Sequence, residues 1–335
     1  MTIGAEMTKP LRVALAGLGT VGGGVIRLLD ANRDLIERRA GRAIEIVAVS
    51  ARDRAKDRGV DIGRFEWVDD TTALAHHEGA DVVVELVGGS DGPALALARA
   101  TLAGGKSLVT ANKAMLAHHG LELARAAEAA KVALKFEAAV AGGIPVIKGL
   151  REGAAANEIA RVYGILNGTC NFILTKMEEE GRDFAEVLAE AQALGFAEAD
   201  PSFDIDGVDA AHKLSILASL AFGTRPAFGE VATSGIRHVL AADIAEAAAR
   251  SLSRLGRGGA LPLAHLHRQA TDEHTEVQNP AHLSLVKIIV PLAANMPPTP
   301  WHTEIFAPGT CAGAMPRIWR TLSCSAYMPY MPECM

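Results

Sequence analysis

Two stretches of this 335-residue chain concentrate groups that could do chemistry. "GFAEADPSFDIDGVDAAHK", residues 195 to 213, sets five carboxylates (Glu198, Asp200, Asp204, Asp206, Asp209) ahead of a single lysine, Lys213, with no other Lys or Arg between. The plain reading is a solvated acidic loop, because loops run over surfaces and tolerate charge. Asp209 and Lys213 lie four apart and share one face if the segment is helical. Alone, such a pair is a surface bridge of about 0.3–0.5 kcal/mol. The second stretch, "LAGLGTVGGG", spaces Gly17, Gly19 and Gly22 as GxGxxG.

The glycines stand where a cofactor needs them. An apolar run, Leu11 to Ala16, leads into them, and Val25, Ile26, Leu28 and Leu29 follow at helical spacing, so the order is strand, glycine turn, helix. A dinucleotide pyrophosphate must approach the backbone closely and sit on the N–H groups of a helix N-terminus, where the dipole favours anions. Cofactor contacts are therefore expected from Gly17, Gly19, Thr20, Val21 and Gly22. The next strand, Ile44 to Ser50, ends in "ARDR". An acid at that strand end would bond the ribose of NAD, whereas an arginine can pair with the 2′-phosphate of NADP. Arg52 favours NADP; Asp53, one residue on, keeps NAD open.

These groups require a scaffold, and the rest of the first half supplies its pattern. "DVVVELVGG" (residues 81 to 89) reads as a buried strand and residues 93 to 103 as a helix. "SLVTANKAML" reads as a short strand, a loop with Asn112 and Lys113, and a helix reaching about residue 130, and "VALKFEAAV" as a further strand. Strands alternating with helices predict a doubly wound parallel sheet, an α/β fold of the Rossmann type. Ligands of such sheets bind beyond the carboxyl ends of the strands, which makes Lys113 a polar contact for cofactor or substrate. After residue 140 a glycine and proline break, a helix, an apolar strand (159 to 166), an "NGT" turn and a second helix indicate a second, α+β domain.

Composition narrows the partners. The chain is 49% hydrophobic and 21% charged, with a formal net charge of -6, which suits about two globular domains and offers no basic footprint to nucleic acid or anionic membrane. No window holds 18 consecutive apolar residues, and the first ten lack a secretory pattern, so the expected place is the cytoplasm. Cys170, Cys311, Cys324 and Cys334 show neither metal spacing nor a disulfide framework. The adjacent pairs His76/His77 and His118/His119 would point apart on a helix, suit no metal pair, and read as surface residues.

Six blocks, "GLGTVGGGV", "VVVELVGG", "TANKAMLA", "FEAAVAGGIPVIKGLREG", "GILNGTCNFILTKM" and "GFAEADPSFDIDGVDAAHKLSILASLAFG", together resemble the homoserine dehydrogenase family, in order, over about residues 10 to 249. The resemblance implies NAD(P)-dependent interconversion of L-homoserine and L-aspartate 4-semialdehyde, in the branch leading to threonine and methionine. It also implies a homodimer whose substrate domain builds a mixed sheet. Lys213 matches the family's acid/base lysine and Asp209 its acidic partner. Glu198 and Asp204 match positions holding the amino acid end of homoserine, and Lys113 the lysine near the nicotinamide and reacting carbon. Glu137, with the backbones of Val140, Gly142 and Ile144, matches a monovalent cation site, for Na+ or K+. The chemistry suits these types: an ammonium takes carboxylate partners in charge-assisted hydrogen bonds, and the hydroxyl at the reacting carbon must exchange a proton. Asp200 and Asp206 keep the plain reading, as loop or capping residues.

The expected organisation is a dinucleotide-binding domain over 1–140, a substrate and catalytic domain over 141–250, incomplete, and an aberrant Pro-rich tail over 251–335. Ten of fifteen prolines, but five of 39 acids, fall after residue 250. The last stretch, from "NMPPTPW" on, has neither helical nor alternating periodicity and too many prolines to carry a sheet. The expected cause is a shift of reading frame near residue 250, the milder alternative a diverged but folded segment. Two rivals to the dehydrogenase follow: a non-catalytic nucleotide-binding remnant, and an acylating aldehyde dehydrogenase using Cys170 as thiol nucleophile.

Overall fold

The computed structural model describes residues 9–159, 161–246, 286–289 and 303–304. Strands β1 (Leu11–Ala16), β2 (Ile44–Ser50), β3 (Glu66–Trp67), β4 (Val82–Glu85), β5 (Ser107–Thr110) and β6 (Leu134–Lys135) form one sheet in the order β3-β2-β1-β4-β5-β6. Every pairing is parallel, so the expected doubly wound sheet is present, and strand order reverses between β1 and β4. Helices α1 (Thr20–Ala31), α2 (Arg33–Ala40), α3 (Pro93–Ala103) and α4 (Lys113–Ala130) make the crossovers.

Strand β1 shows why the run is apolar from Val13 on. Successive side chains of a strand point to opposite faces. Ala14 and Ala16 enter a core with Leu97 and Leu102 of α3 and Met115 and Leu123 of α4. Leu15, between them, enters a second core with Leu18, Ile26 of α1 and Val49. Both faces are covered, so neither can be polar. Where the strands begin, Arg12 and Asp81 lock β1 to β4: the Arg12 N–H and guanidinium donate to Asp81 at 2.9 to 3.3 Å.

The Arg12 guanidinium, then its backbone N–H, hold the Asp81 carboxyl down to about 2. A depressed folded pKa gives stability that is fully present above the unfolded value, near 3.9, and lost as pH falls towards 2. The stability gap between the native chain and Asp81→Asn, measured as urea midpoints, should therefore shrink from pH 5 to pH 2. A gap that stays constant over that window would show the pair contributes nothing through ionisation.

Several boundaries move for local reasons. The expected strand over 81 to 89 stops at Glu85, whose side chain accepts from the N–H groups of Val87 and Gly88 and so bends the chain out of the sheet. The strand expected in "VALKFEAAV" is cut to Leu134–Lys135, because Phe136 leaves the extended region (φ -150°, ψ 35°) and Glu137–Ala139 coil into a 3-10 turn. Helix α2 and strand β3 were not foreseen.

The chain divides into two compact units, the first including the residues up to Val162 together with Ala211–Val231. Residues 140 to 153 continue the first unit with a short helix, α5 (Val146–Lys148), and a wide π turn over Gly149–Gly153. The second unit contains α6 (Gly168–Glu180), α7 (Phe184–Ala193) and α8 (Ser202–Ile205), packed on Ile173, Met177, Val187, Ala191 and Ile205. Helix α9 (Val208–Phe222) has its first three residues in the second unit and the rest in the first. Strand β7 (Arg161–Gly164) begins a three-stranded sheet, order β7-β8-β9, with β8 (Val286–Ile289) and β9 (Thr303–Glu304), which pair antiparallel. The expectation that the proline-rich stretch carries no strand is thus corrected: β9 fits the gap between Pro300 and Pro308. The rest of residues 251–335, and with it the reading-frame shift, lies outside the described residues. No described helix is long and apolar enough to cross a membrane.

Candidate active site

The three glycines of the turn have separate duties. Gly17 adopts φ +93°, and a Cβ there would lie 2.5 Å from the Leu86 carbonyl oxygen, so the turn and the segment after β4 touch backbone to backbone. At Gly22 a Cβ would lie 2.0 Å from the Gly17 carbonyl oxygen, which lets α1 pack onto its own turn. A Cβ on Gly19 would meet nothing within 4 Å. Gly19 is the N-cap of the twelve-residue α1, no side chain caps the helix, and its first turn has no acid. Uncapped N–H groups beside open space are what a pyrophosphate needs. Thr20 and Val21, both exposed, follow on that first turn.

At the end of β2, Ser50 is fully buried and bonds the Thr71 hydroxyl (2.9 Å), while Asp53 accepts the Ala55 N–H (2.8 Å). Both are engaged locally, whereas Arg52 is exposed. Sequence reasoning missed Arg58, which donates to the Leu18 carbonyl of the glycine turn (3.1 Å) and to the carbonyls of Asp53 and Lys56. It thereby ties the glycine turn to the loop that carries Arg52.

Lys113, partly buried, is the first residue of α4, whose N-cap Asn112 accepts the Met115 N–H (3.1 Å). Glu85, fully buried at the end of β4, was read only as part of an apolar strand. Its Oε1 accepts from Val87 (2.7 Å) and Gly88 (3.0 Å), and its Oε2 from the Thr110 hydroxyl (2.5 Å). A charged residue in an otherwise apolar strand was the signal that could have found it.

The acidic stretch separates into distinct groups. Asn167, buried at the N-cap of α6, donates through Nδ2 to Asp204 (2.6 Å) and to Asp209 (2.9 Å), and its Oδ1 accepts the Cys170 N–H. One amide joins two carboxylates 37 and 42 residues away in sequence, a role for the "NGT" turn that spacing could not show. Asp209 is 4% exposed, so the surface-bridge reading of Asp209 and Lys213 is corrected; Lys213, partly buried, follows one turn along α9. Asp204 also accepts from the Thr169 hydroxyl (3.3 Å). Two of the four or so lone-pair sites of a carboxylate are then used, leaving room for an ammonium. Glu198 is exposed, and among the described residues its carboxylate is not part of the Asn167 cluster. Asp200 accepts the Ser202 N–H and Asp206 pairs with Arg237, the loop and capping duties expected of them.

Glu137 accepts the N–H groups of Ile147 and Lys148 (3.0 Å each), one per carboxylate oxygen. Between them the loop holds Val140 and Ile144 buried, and Ala141 at φ +52°, a left-handed conformation uncommon for a residue with a Cβ. Hard oxygen donors, a carboxylate with spare lone pairs and backbone carbonyls, suit an alkali cation.

Cys170 does not suit nucleophilic attack. Burial, then the charges of Asp204, Asp209 and Asp206, push its thiol up to about 12, and the S–H donates to the Asp204 carbonyl (3.2 Å). A thiolate is the reactive form, and at neutral pH there is almost none. Native protein at pH 8 should label with a thiol reagent at Cys170 at least tenfold more slowly than urea-unfolded protein. Rapid labelling of Cys170 in the folded chain would restore the thioester reading. The histidines give no metal centre either: among the described residues no cluster of three or more His, Cys, Asp or Glu could hold a metal ion. His76 and His118 are exposed, as expected, whereas His77 and His119 are partly buried and meet Glu66 and Asp91, each at 3.0 Å.

Comparisons with known proteins agree with this geometry. The family model described as homoserine dehydrogenase, NAD binding domain, matches residues 17–137, and the one described as homoserine dehydrogenase matches residues 145–258. The homoserine dehydrogenase of Pseudomonas aeruginosa is 50% identical over 250 residues, 74% of this chain and 57% of that protein, so the chain spans little more than half of that relative's length. The crystal structure of a homoserine dehydrogenase from Thiobacillus denitrificans is 48% identical over 71% of this chain and 55% of that one, with a TM-score of 0.69. That of Staphylococcus aureus homoserine dehydrogenase at pH 7.5 is 32% identical over 90% of this chain and 72% of that one, with a TM-score of 0.66. With a nicotinamide-dinucleotide domain followed by a catalytic domain of the same family, this chain belongs to the homoserine dehydrogenase family.

Proposed function

We propose that the chain interconverts L-homoserine and L-aspartate 4-semialdehyde with NADP, in the cytoplasmic synthesis of threonine and methionine. The observation that carries the reading is the Asp204–Asn167–Asp209 cluster, in which Asn167 and Asp209 are buried and Asp209 lies in the first turn of the helix that bears Lys213. Asp204 and Glu198 take the substrate ammonium. Lys213 gives a proton to the forming alkoxide in reduction and takes it from the hydroxyl in oxidation, while Asp209 orients it. Lys113 is a polar contact beside the reacting carbon. The nicotinamide cofactor supplies the hydride to the aldehyde carbon, or accepts it from the alcohol carbon.

Gly17, Gly19, Thr20, Val21 and Gly22 hold the pyrophosphate, and Arg52 pairs with the 2′-phosphate, which favours NADP over NAD. Glu137 and the carbonyls of Val140, Gly142 and Ile144 take Na+ or K+, and the active species is a homodimer. Loss of NADPH absorbance with aspartate semialdehyde tests the activity. It should be faster than with NADH, rise with KCl or NaCl, and lose the NADPH preference in Arg52→Ala. No turnover with either cofactor refutes the dehydrogenase; NADPH binding without turnover assigns the chain as a non-catalytic nucleotide-binding remnant.

A further inference from the structure

We infer that Glu85 and Thr110 are positioning residues that, through a closed ring of hydrogen bonds, set both the segment following β4 and the turn presenting Lys113. The inference rests on the proposed function for its consequence, and on the geometry for its form.

The ring can be followed bond by bond. Glu85 accepts from Val87, Gly88 and the Thr110 hydroxyl. The Thr110 oxygen in turn accepts the Asn112 N–H at 3.0 Å. Asn112 Nδ2 donates to the Gly89 carbonyl at 2.7 Å, which returns the ring to the segment it started from, and Asn112 Oδ1 caps α4. Glu85 and Thr110 are fully buried. A buried carboxylate without donors is costly, so these bonds are not freely exchanged for others. Two parts of the candidate site hang on the ring. One is the Leu86 carbonyl against Gly17, which sets the gap between the segment and the cofactor turn. The other is the backbone of Lys113, the residue after the cap.

A carboxylate that merely ended β4 would need only its two backbone donors. The Thr110 hydroxyl extends the network to β5 and α4, and it can be removed at nearly constant shape. Thr110→Val strips that hydroxyl and leaves a Glu85 oxygen and the Asn112 N–H without it; Thr110→Ser keeps it. In Thr110→Val, NADPH affinity by fluorescence titration should fall at least about fivefold, because the segment after β4 is no longer held against the glycine turn, and kcat for aspartate semialdehyde should fall with it. Thr110→Ser should stay within about threefold of the native chain in both. In a Lys113→Ala background, Thr110→Val should lose most of its effect on kcat, because it acts through that lysine.

A folded Thr110→Val with native NADPH affinity and kcat overturns the inference, and so does an equal kcat loss with and without Lys113. Should Thr110→Val not fold, Glu85→Gln decides: it keeps the acceptor for Val87 and Gly88, turns an amide towards Thr110, and should weaken NADPH binding at least fivefold. A native chain that binds NADPH without turnover refutes the proposed function and leaves the affinity comparison to decide the ring. A native chain that turns over, with variants that match it, refutes the ring alone.

Discussion

Lys213→Ala should lower kcat for aspartate semialdehyde reduction by about 10²- to 10⁴-fold, the range associated with loss of a positioned general acid. NADPH affinity should change by less than about threefold, because Lys213 lies in α9 and not in the glycine turn. Lys213→Arg makes the test sharper. Arginine keeps the positive charge beside Asp209 but cannot give up a proton in a protein. If the lysine exchanges a proton with substrate, Arg should be nearly as inactive as Ala. If the cation only holds the substrate by charge, Arg should retain a tenth or more of the native rate. Parallel kcat measurements on the three forms, with NADPH affinity as control, decide between them. Retention of native kcat in Lys213→Ala would remove the lysine from the mechanism altogether.

Gly22→Ala and Gly19→Val should fail in opposite ways, although the glycines stand three residues apart. At Gly22 the new Cβ would sit 2.0 Å from a backbone oxygen of the same turn, where nothing flexible can yield. Overpacking of that kind costs typically about 1–3 kcal/mol and sometimes more, so the urea midpoint should drop markedly. At Gly19 a Cβ would meet nothing within 4 Å and the backbone is already extended, φ -75°, so stability should change by no more than about 1 kcal/mol. The space it fills is where a pyrophosphate would approach α1, and NADPH affinity should fall at least tenfold. Urea unfolding and fluorescence titration on both variants give the comparison. A Gly19→Val protein that binds NADPH like the native chain would place the cofactor somewhere else.

The sheet was the most legible part of the fold, and β1 shows why. Its last four residues, Val13 to Ala16, are apolar and buried on both faces of the sheet, so they had to read as an unbroken apolar run. Helix α3 was legible from its proline start and α4 from its long apolar spacing. The strand around residue 135 was not, because its apolar pattern continues into residues whose backbone turns away to bring Glu137 to the start of α5. Helices α2 and α7 are short, eight and ten residues, and offer few turns over which a pattern can repeat. The candidate site was legible in its residue types, since carboxylates, lysines and glycines announce their chemistry. It was illegible in its supports: Asn167, Glu85, Thr110 and Arg58 act through partners 25 to 42 residues away along the chain.

The acidic stretch divides the two kinds of information most clearly. The order of residues alone determined that five carboxylates precede one lysine, that Asp209 and Lys213 lie one helical turn apart, and that a glycine turn follows an apolar strand. Those are properties of spacing along a chain, which backbone geometry converts directly into a shared face or an open turn. The tertiary structure alone decided that Asp204 and Asp209 meet on one asparagine, that Asp206 is taken by Arg237, that Glu198 stays exposed, and that Cys170 is buried beyond use as a nucleophile. Burial and partnership depend on residues brought close by folding, and separation along the chain carries no record of them.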